Sequence, residues 1–213
     1  MSRATSRAVA LATVGAVLAS TATAWAAGLT LSSAHLGATS LSTPAMFPVS
    51  VTLANKAAGI AGKVQNGDSV TFVWSQLVDE TTLCSGWSNS SSTQSLTLQW
   101  SVVNGTGAAD DTLQVTGTSA TCASGLHVGT VDLGAGSYDT STASIDFPTT
   151  TNALTVGATT TTLTVTLGGQ INGTAGTVTS GNAAVWTPDS ALKDRSARNC
   201  KTNLAQSTST VQF

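Results

Sequence analysis

Strict alternation of apolar and polar residues is the feature of this sequence that most constrains its fold. Residues 95–103 give the longest example, with an apolar residue at every second position: Leu96, Leu98, Trp100 and Val102. Residues 68–76 and 160–167 repeat the pattern, with apolar side chains on one face and mainly Ser or Thr on the other. Because successive side chains of a strand point to opposite faces, this period of two indicates half-buried β-strands.

The same pattern along the chain predicts about seven to eight short strands. They cover residues 47–54, 68–76, 95–103, 112–116, 126–133, 143–147, 160–167 and 183–186. Turn-forming pairs separate several of them: Asn66-Gly67, Asn104-Gly105 and Asn172-Gly173. Residues 78–84 predict a short irregular segment between strands, with one helical turn. The sequence therefore predicts a single all-β domain, built as an antiparallel sandwich or barrel.

Charged residues make up only 8% of the 213-residue chain, so hydroxyl groups must keep the surface hydrated. The chain has eight basic and ten acidic residues, and loss of residues 1–26 would leave six basic residues against the ten acids. An acidic body without a basic stripe argues against nucleic-acid binding.

Four of those six basic residues lie near the C-terminus: Lys193, Arg195, Arg198 and Lys201. Two interpretations of this cluster remain open. It is either a solvated terminal loop that balances the acidic domain, or a contact for an anionic wall polymer.

Residues 1–26 have the organisation of a secretory signal peptide. Arg3 and Arg7 supply the charged region, and residues 8–18 supply the apolar region. Ala24-Trp25-Ala26 then provides the small residues of a cleavage site. A retained N-terminal anchor is the alternative, because the apolar stretch reaches spanning length. Cleavage predicts a secreted or cell-wall-associated protein without stable membrane insertion, consisting of an extended arm (residues 27–45) and a β domain with a basic C-terminal tail (residues 46–213).

The three cysteines of the chain allow three different pairings and leave one thiol over. We expect a disulfide between Cys84 and Cys122, because both lie at strand ends within the predicted domain. Cys200 is then an unpaired thiol or forms an intermolecular bridge. It could also replace one partner in the intramolecular bridge.

The sequence contains no catalytic motif, and we expect no enzyme activity and no cofactor. Neither a nucleophile elbow, a phosphate-binding glycine loop nor a Cys-His pair occurs. The best candidate for ligand contact is Trp87, which lies off any strand pattern in a Ser- and Asn-rich loop. Its ring would stack on sugars if exposed, or cover the edge of the β domain if buried.

Metal binding is not expected either, although the sequence offers two kinds of candidate ligand. His35 and His127 lie in unrelated segments without a zinc motif around them. Asp68 and the pair Asp110-Asp111 could help to hold Ca²⁺, but no alternating ligand loop is present. Asp68 is otherwise a turn residue, and Asp110-Asp111 otherwise caps a hairpin loop.

Three segments resemble the bacterial Ig-like surface domains of S-layer type. Gly67-Asp68-Ser69-Val70-Thr71-Phe72, followed by Trp74-Ser75 and Val78-Asp79, is similar to the opening of those domains. Residues 163–168 resemble their late strand, and residues 186–194 resemble their closing Pro-x-x-x-Leu-x-Asp segment. The chain departs from the pattern in having one such unit and in replacing the usual Gly-Asn after the closing Asp by residues 195–199.

The resemblance implies an Ig-like β-sandwich in a secreted, non-catalytic protein with a structural or adhesive role at a bacterial cell surface. Its expected partners are cell-wall polymer, other surface proteins and further copies of itself. The alternative function is a carbohydrate-binding module centred on Trp87 that recognises wall or extracellular glycans.

Overall fold

The computed structural model describes residues 44–90, 93–105, 110–141, 143–209 and 211–213. All of them belong to one compact unit, Pro44–Phe213. The predicted signal peptide and nearly all of the predicted arm, up to residue 43, lie outside the described residues.

The described residues form ten strands and one short helix. The strands are β1 (Pro48–Ala54), β2 (Ser69–Trp74), β3 (Thr93–Leu96), β4 (Gln99–Val103), β5 (Thr112–Val115), β6 (Thr130–Asp132), β7 (Ser144–Val156), β8 (Thr161–Leu167), β9 (Val185–Thr187) and β10 (Ala205–Gln206). Helix α1 (Glu80–Leu83) follows β2, and its N-cap Asp79 accepts a hydrogen bond from the Thr81 amide. No helix in this part of the chain is long and apolar enough to cross a bilayer.

All strand pairs are antiparallel, and the long strand β7 organises them. Its first residues pair with β4, whereas its later residues pair with β8 and β3. A register shift between Thr149 and Thr151 marks the change. The strand order is β1-β2-β8-β7-β4-β5-β6-β9-β10, with β3 attached to β7. Because β1 lies beside β9 and β10, the sheet bends back on itself and is nearly closed.

Four aromatic side chains fill the space between the two halves of this sheet. Phe72 and Trp74 come from β2, Trp100 from β4 and Trp186 from β9, and all four are fully buried. The Trp186 ring centroid lies 5.0 Å from that of Phe72 and 5.1 Å from that of Trp74, both in edge-to-face geometry. Such pairs are favourable beyond the area they bury, so this cluster is the centre of the core.

The all-β antiparallel class is confirmed, but the strand count and several boundaries differ from expectation. Residues 95–103 form two strands, β3 and β4, instead of one. At the break, the Leu98 amide donates to Thr149 Oγ1 (3.0 Å), and the Leu98 carbonyl accepts from the Thr149 amide (2.7 Å). Strand β7 is longer than the predicted 143–147, and β10 was not predicted.

Candidate functional site

The C-terminal basic segment packs against helix α1. Residues 192–201, which we call the closing strap, are held there by main-chain hydrogen bonds. The Asp79 amide donates to the Lys193 carbonyl (2.8 Å), and the Arg195 amide donates to the Leu77 carbonyl (3.0 Å). Val78 and Asp194 form an isolated antiparallel bridge. The strap is therefore part of the folded body and not a loose terminal tail.

An ion pair joins the strap to α1. Glu80 is fully buried, and its Oε1 lies 2.6 Å from Nη2 of Arg195. Its other oxygen, Oε2, accepts a hydrogen bond from Gln94 Nε2 (2.9 Å). A buried carboxylate is tolerated only when it is paired and hydrogen-bonded, and both oxygens of Glu80 meet that requirement.

A second ion pair lies within the strap itself. Asp194 is buried, and its Oδ2 accepts from Nε of Arg198 (2.9 Å). Its Oδ1 accepts from the Ser196 amide (2.8 Å), and Arg198 also donates to Gln76 Oε1 (2.9 Å). Both arginines of the basic cluster are therefore committed to internal contacts. The solvated-loop interpretation therefore does not hold in full for these two arginines, although about 30% of each side chain is exposed.

The predicted disulfide is present between Cys84 and Cys122. It links the end of α1 to the loop that precedes β6, and both cysteines are buried. The loop after Cys84 folds back at once, because the Trp87 amide donates to the Cys84 carbonyl (3.0 Å).

Trp87 does not present an open ring face. Only 5% of the residue is exposed, and it packs in the hydrophobic core. Stacking on a sugar requires an accessible ring, so this placement favours the other interpretation of Trp87, in which the ring covers the edge of the β domain. The loop assignment for residue 87 was right, but its interpretation as a binding loop is not supported.

Cys200 is a buried thiol within the body. It is 4% exposed and has no disulfide partner in this chain. Burial, with a smaller contribution from the negative charge of Asp194, raises the pKa of the Cys200 thiol to about 11. Because the thiolate is the reactive species, the folded protein offers no exposed nucleophilic sulfur for an intermolecular bridge.

We expect Cys200 to be protected from thiol reagents at pH 8 and to become reactive only on unfolding. We also expect the stability of the wild type to fall relative to Cys200→Ala as the pH rises from 9.0 through about 11. The reason is that the unfolded chain then releases a proton that the folded chain retains, and the full difference is about 3 kcal/mol. Denaturant unfolding of both proteins across this pH range measures it. If the stabilities of the two proteins changed with pH in parallel, the raised pKa of the Cys200 thiol would be contradicted.

His127 forms a hydrogen-bonded pair with Asp189, with Nδ1 2.9 Å from Oδ2. Both side chains are about one-third exposed. Burial alone would raise the pKa of Asp189, but hydrogen bonds from the Ala191 amide and from His127 lower it overall. The pair ties the loop before β6 to the loop after β9. Within the described residues no group of three or more His, Cys, Asp or Glu side chains could hold a metal ion.

Two of the three aspartates named as possible calcium ligands, Asp68 and Asp111, accept hydrogen bonds from backbone amides. Asp68 accepts from the amides of Lys56 (2.9 Å) and Gln65 (2.6 Å), and its burial raises its pKa. Asp111 accepts from the amides of Gly105 (3.0 Å) and Asp139 (2.7 Å). Each therefore holds a turn together, as the simpler interpretation predicts.

Comparison of the chain with protein-family models, with curated proteins and with solved structures gives no significant match.

Proposed function

We propose that this protein is an exported, non-catalytic structural or adhesive module at the surface of a Gram-positive bacterium. The observation that carries the proposal is the buried disulfide between Cys84 and Cys122. Disulfides form and persist in oxidising compartments, which is consistent with the predicted signal peptide.

The side chains that could bind a ligand or carry out chemistry are engaged in contacts within the protein, which supports the same proposal. Arg195 and Arg198 are bound to buried carboxylates, and His127 is bound to Asp189. Trp87 is packed into the core, which removes the main argument for the carbohydrate-binding alternative. These groups stabilise the body, so binding would be carried out by strand edges and hydroxyl-rich faces.

An Ig-like sandwich with additional strands is the finer fold that we propose. Two halves of the sheet face each other across the aromatic cluster, as in sandwich domains. Two of the segments that resemble S-layer-type domains contact each other. Val78-Asp79 of one segment pairs with Lys193-Asp194 of the other, at the start of the closing strap. The ten strands exceed the seven of the simplest Ig arrangement.

Localisation and processing test the first part of the proposal. We expect the protein to be found in the culture supernatant of intact cells, or to be labelled on those cells by a membrane-impermeant reagent. Its N-terminus should be Ala27 or Gly28, and Cys84 should be oxidised. An intracellular protein that retains Met1 and has a reduced Cys84 would contradict export.

The role is tested with a deletion strain. Cells without the protein should adhere less to surfaces or to one another, and wild-type protein should restore adhesion. His127→Ala is the matched control against a catalytic role, because it removes the one described imidazole and should restore adhesion equally well. Release of wall fragments by the purified protein would favour an enzyme instead.

A further inference from the structure

The three Asn-Gly pairs of the chain place the same reactive dipeptide in three different surroundings. They are Asn66-Gly67, Asn104-Gly105 and Asn172-Gly173. In such a pair the main-chain nitrogen of the glycine can attack the side-chain amide of the asparagine, because glycine has no Cβ to obstruct the approach. Since the local chemistry is identical in all three, any difference in their reactivity must come from the fold.

At Asn104-Gly105 both reacting groups are hydrogen-bonded. Nδ2 of Asn104 donates to the carbonyls of Asp139 (2.8 Å) and Ser141 (2.5 Å). The Gly105 amide donates to Asp111 Oδ1 (3.0 Å). Three hydrogen bonds, one of them to a carboxylate, must therefore open before this pair can react.

At Asn172-Gly173 the asparagine side chain is held by Asp146. Its Oδ1 accepts from the Asp146 amide (2.7 Å), and its Nδ2 donates to Asp146 Oδ2 (2.5 Å). The Gly173 amide makes no main-chain hydrogen bond with the described residues, so the protection comes from the side chain. A hydrogen bond to a charged acceptor is about twice as strong as one between neutral groups, and here it must open together with a second bond.

Asn66 differs from both, because its side chain is exposed and makes no hydrogen bond with the described part of the chain. The Gly67 amide donates to the Leu167 carbonyl (2.8 Å). One hydrogen bond between neutral groups must therefore open before Gly67 can attack, against two or three stronger constraints at the other pairs.

We propose that Asn66 is a modification site, at which the folded protein deamidates spontaneously. The Gly67 nitrogen gives its proton to water and bonds to Asn66 Cγ. The Cγ–Nδ2 bond breaks, ammonia leaves, and a five-membered succinimide ring forms. Water then opens the ring at one of its two carbonyls and leaves aspartate or isoaspartate at position 66. The reaction needs only water, and the proposal does not depend on the surface role proposed above.

The modification would weaken the turn that leads into β2. The Asp68 amide donates to the Gln65 carbonyl (3.1 Å), so this turn encloses position 66. Isoaspartate carries the main chain through its own side chain and adds one methylene to the turn. Either product also places a new negative charge two positions from the buried Asp68 carboxylate. The modified protein should therefore melt at a lower temperature than the fresh protein.

Peptide mapping by mass spectrometry tests the proposal on the secreted, processed chain after incubation at mildly alkaline pH. In the folded protein, Asn66 should deamidate at least about tenfold faster than Asn172 or Asn104, the ratio expected when at least one further hydrogen bond to a carboxylate must open. In denaturant the three sites should react at similar rates, because the contacts that distinguish them are then lost.

Asn66→Gln is the matched variant, because it alters an exposed side chain and its longer amide does not form the five-membered ring. Incubated wild type should lose melting temperature, and incubated Asn66→Gln should not. Equal rates at the three sites of the folded protein, or faster reaction at Asn172, would overturn the proposal. An unchanged order of rates in denaturant would assign the difference to sequence and would overturn it as well.

Discussion

Replacement of Arg195 by alanine is expected to lower the free energy of unfolding by about 3 kcal/mol, because it leaves the buried Glu80 carboxylate without its cationic partner. This value is the lower end of the range for breaking a buried ion pair. The lower end applies because 31% of the Arg195 side chain is exposed, so water can partly replace the guanidinium. Urea unfolding at pH 7 measures the loss.

Lys201→Ala is the matched control, since it removes an exposed basic side chain from the same strap and should change stability by no more than about 0.5 kcal/mol. The double variant Glu80→Gln/Arg195→Ala should be less destabilised than the sum of its single variants, because the uncompensated charge is then absent. If Arg195→Ala and Lys201→Ala cost the same, the ion pair does not hold the strap.

The local alternation of the sequence predicts the central strands well. On β8 the apolar residues Leu163, Val165 and Leu167 are buried, with partly exposed threonines between them, as expected, and Thr161 at the start of the strand is buried as well. Strand β2 follows the same rule. Period-two patterning succeeds here because one face of each strand packs on the core and the other meets solvent. The residue types themselves therefore indicate which positions are buried.

The second half of β7 shows why the same method fails elsewhere. Asn152 is fully buried at a position where the pattern requires an apolar residue. Its Oδ1 accepts from Trp100 Nε1 (3.1 Å), and its Nδ2 donates to the Leu96 carbonyl (2.7 Å). A polar residue satisfied by distant partners is indistinguishable in sequence from a solvent-exposed one, so this part of the strand was not predicted.

Part of the candidate site was likewise predictable from the sequence, and part was not. The Cys84–Cys122 pair was predicted because cysteines are few and their chemistry is specific. The Glu80–Arg195 pair was missed because its members lie 115 positions apart in sequence. One signal was available, since Glu80 is the only glutamate in the chain. The burial of Trp87 was one of two interpretations that the sequence left open, because a tryptophan in a polar loop can either cover the β domain or face solvent.

Removal of the disulfide is expected to have the largest effect on stability. Cys84→Ala/Cys122→Ala should lower the free energy of unfolding by about 4 kcal/mol, the chain-entropy value for a loop of this length. The bridged cysteines are 38 positions apart, so the unfolded chain without the bridge gains many extended conformations. The denaturant m-value should rise as well, because that chain exposes more surface.

Cys200→Ala is the control, because it removes a buried thiol without opening a cross-link and should leave the m-value unchanged. A loss in the double variant no larger than that in Cys200→Ala would show that the bridge is dispensable. The expected loss is a large part of the 5–15 kcal/mol by which folded domains are usually stable. A chain with reduced cysteines would then be only marginally folded, and full stability would be reached only in an oxidising compartment.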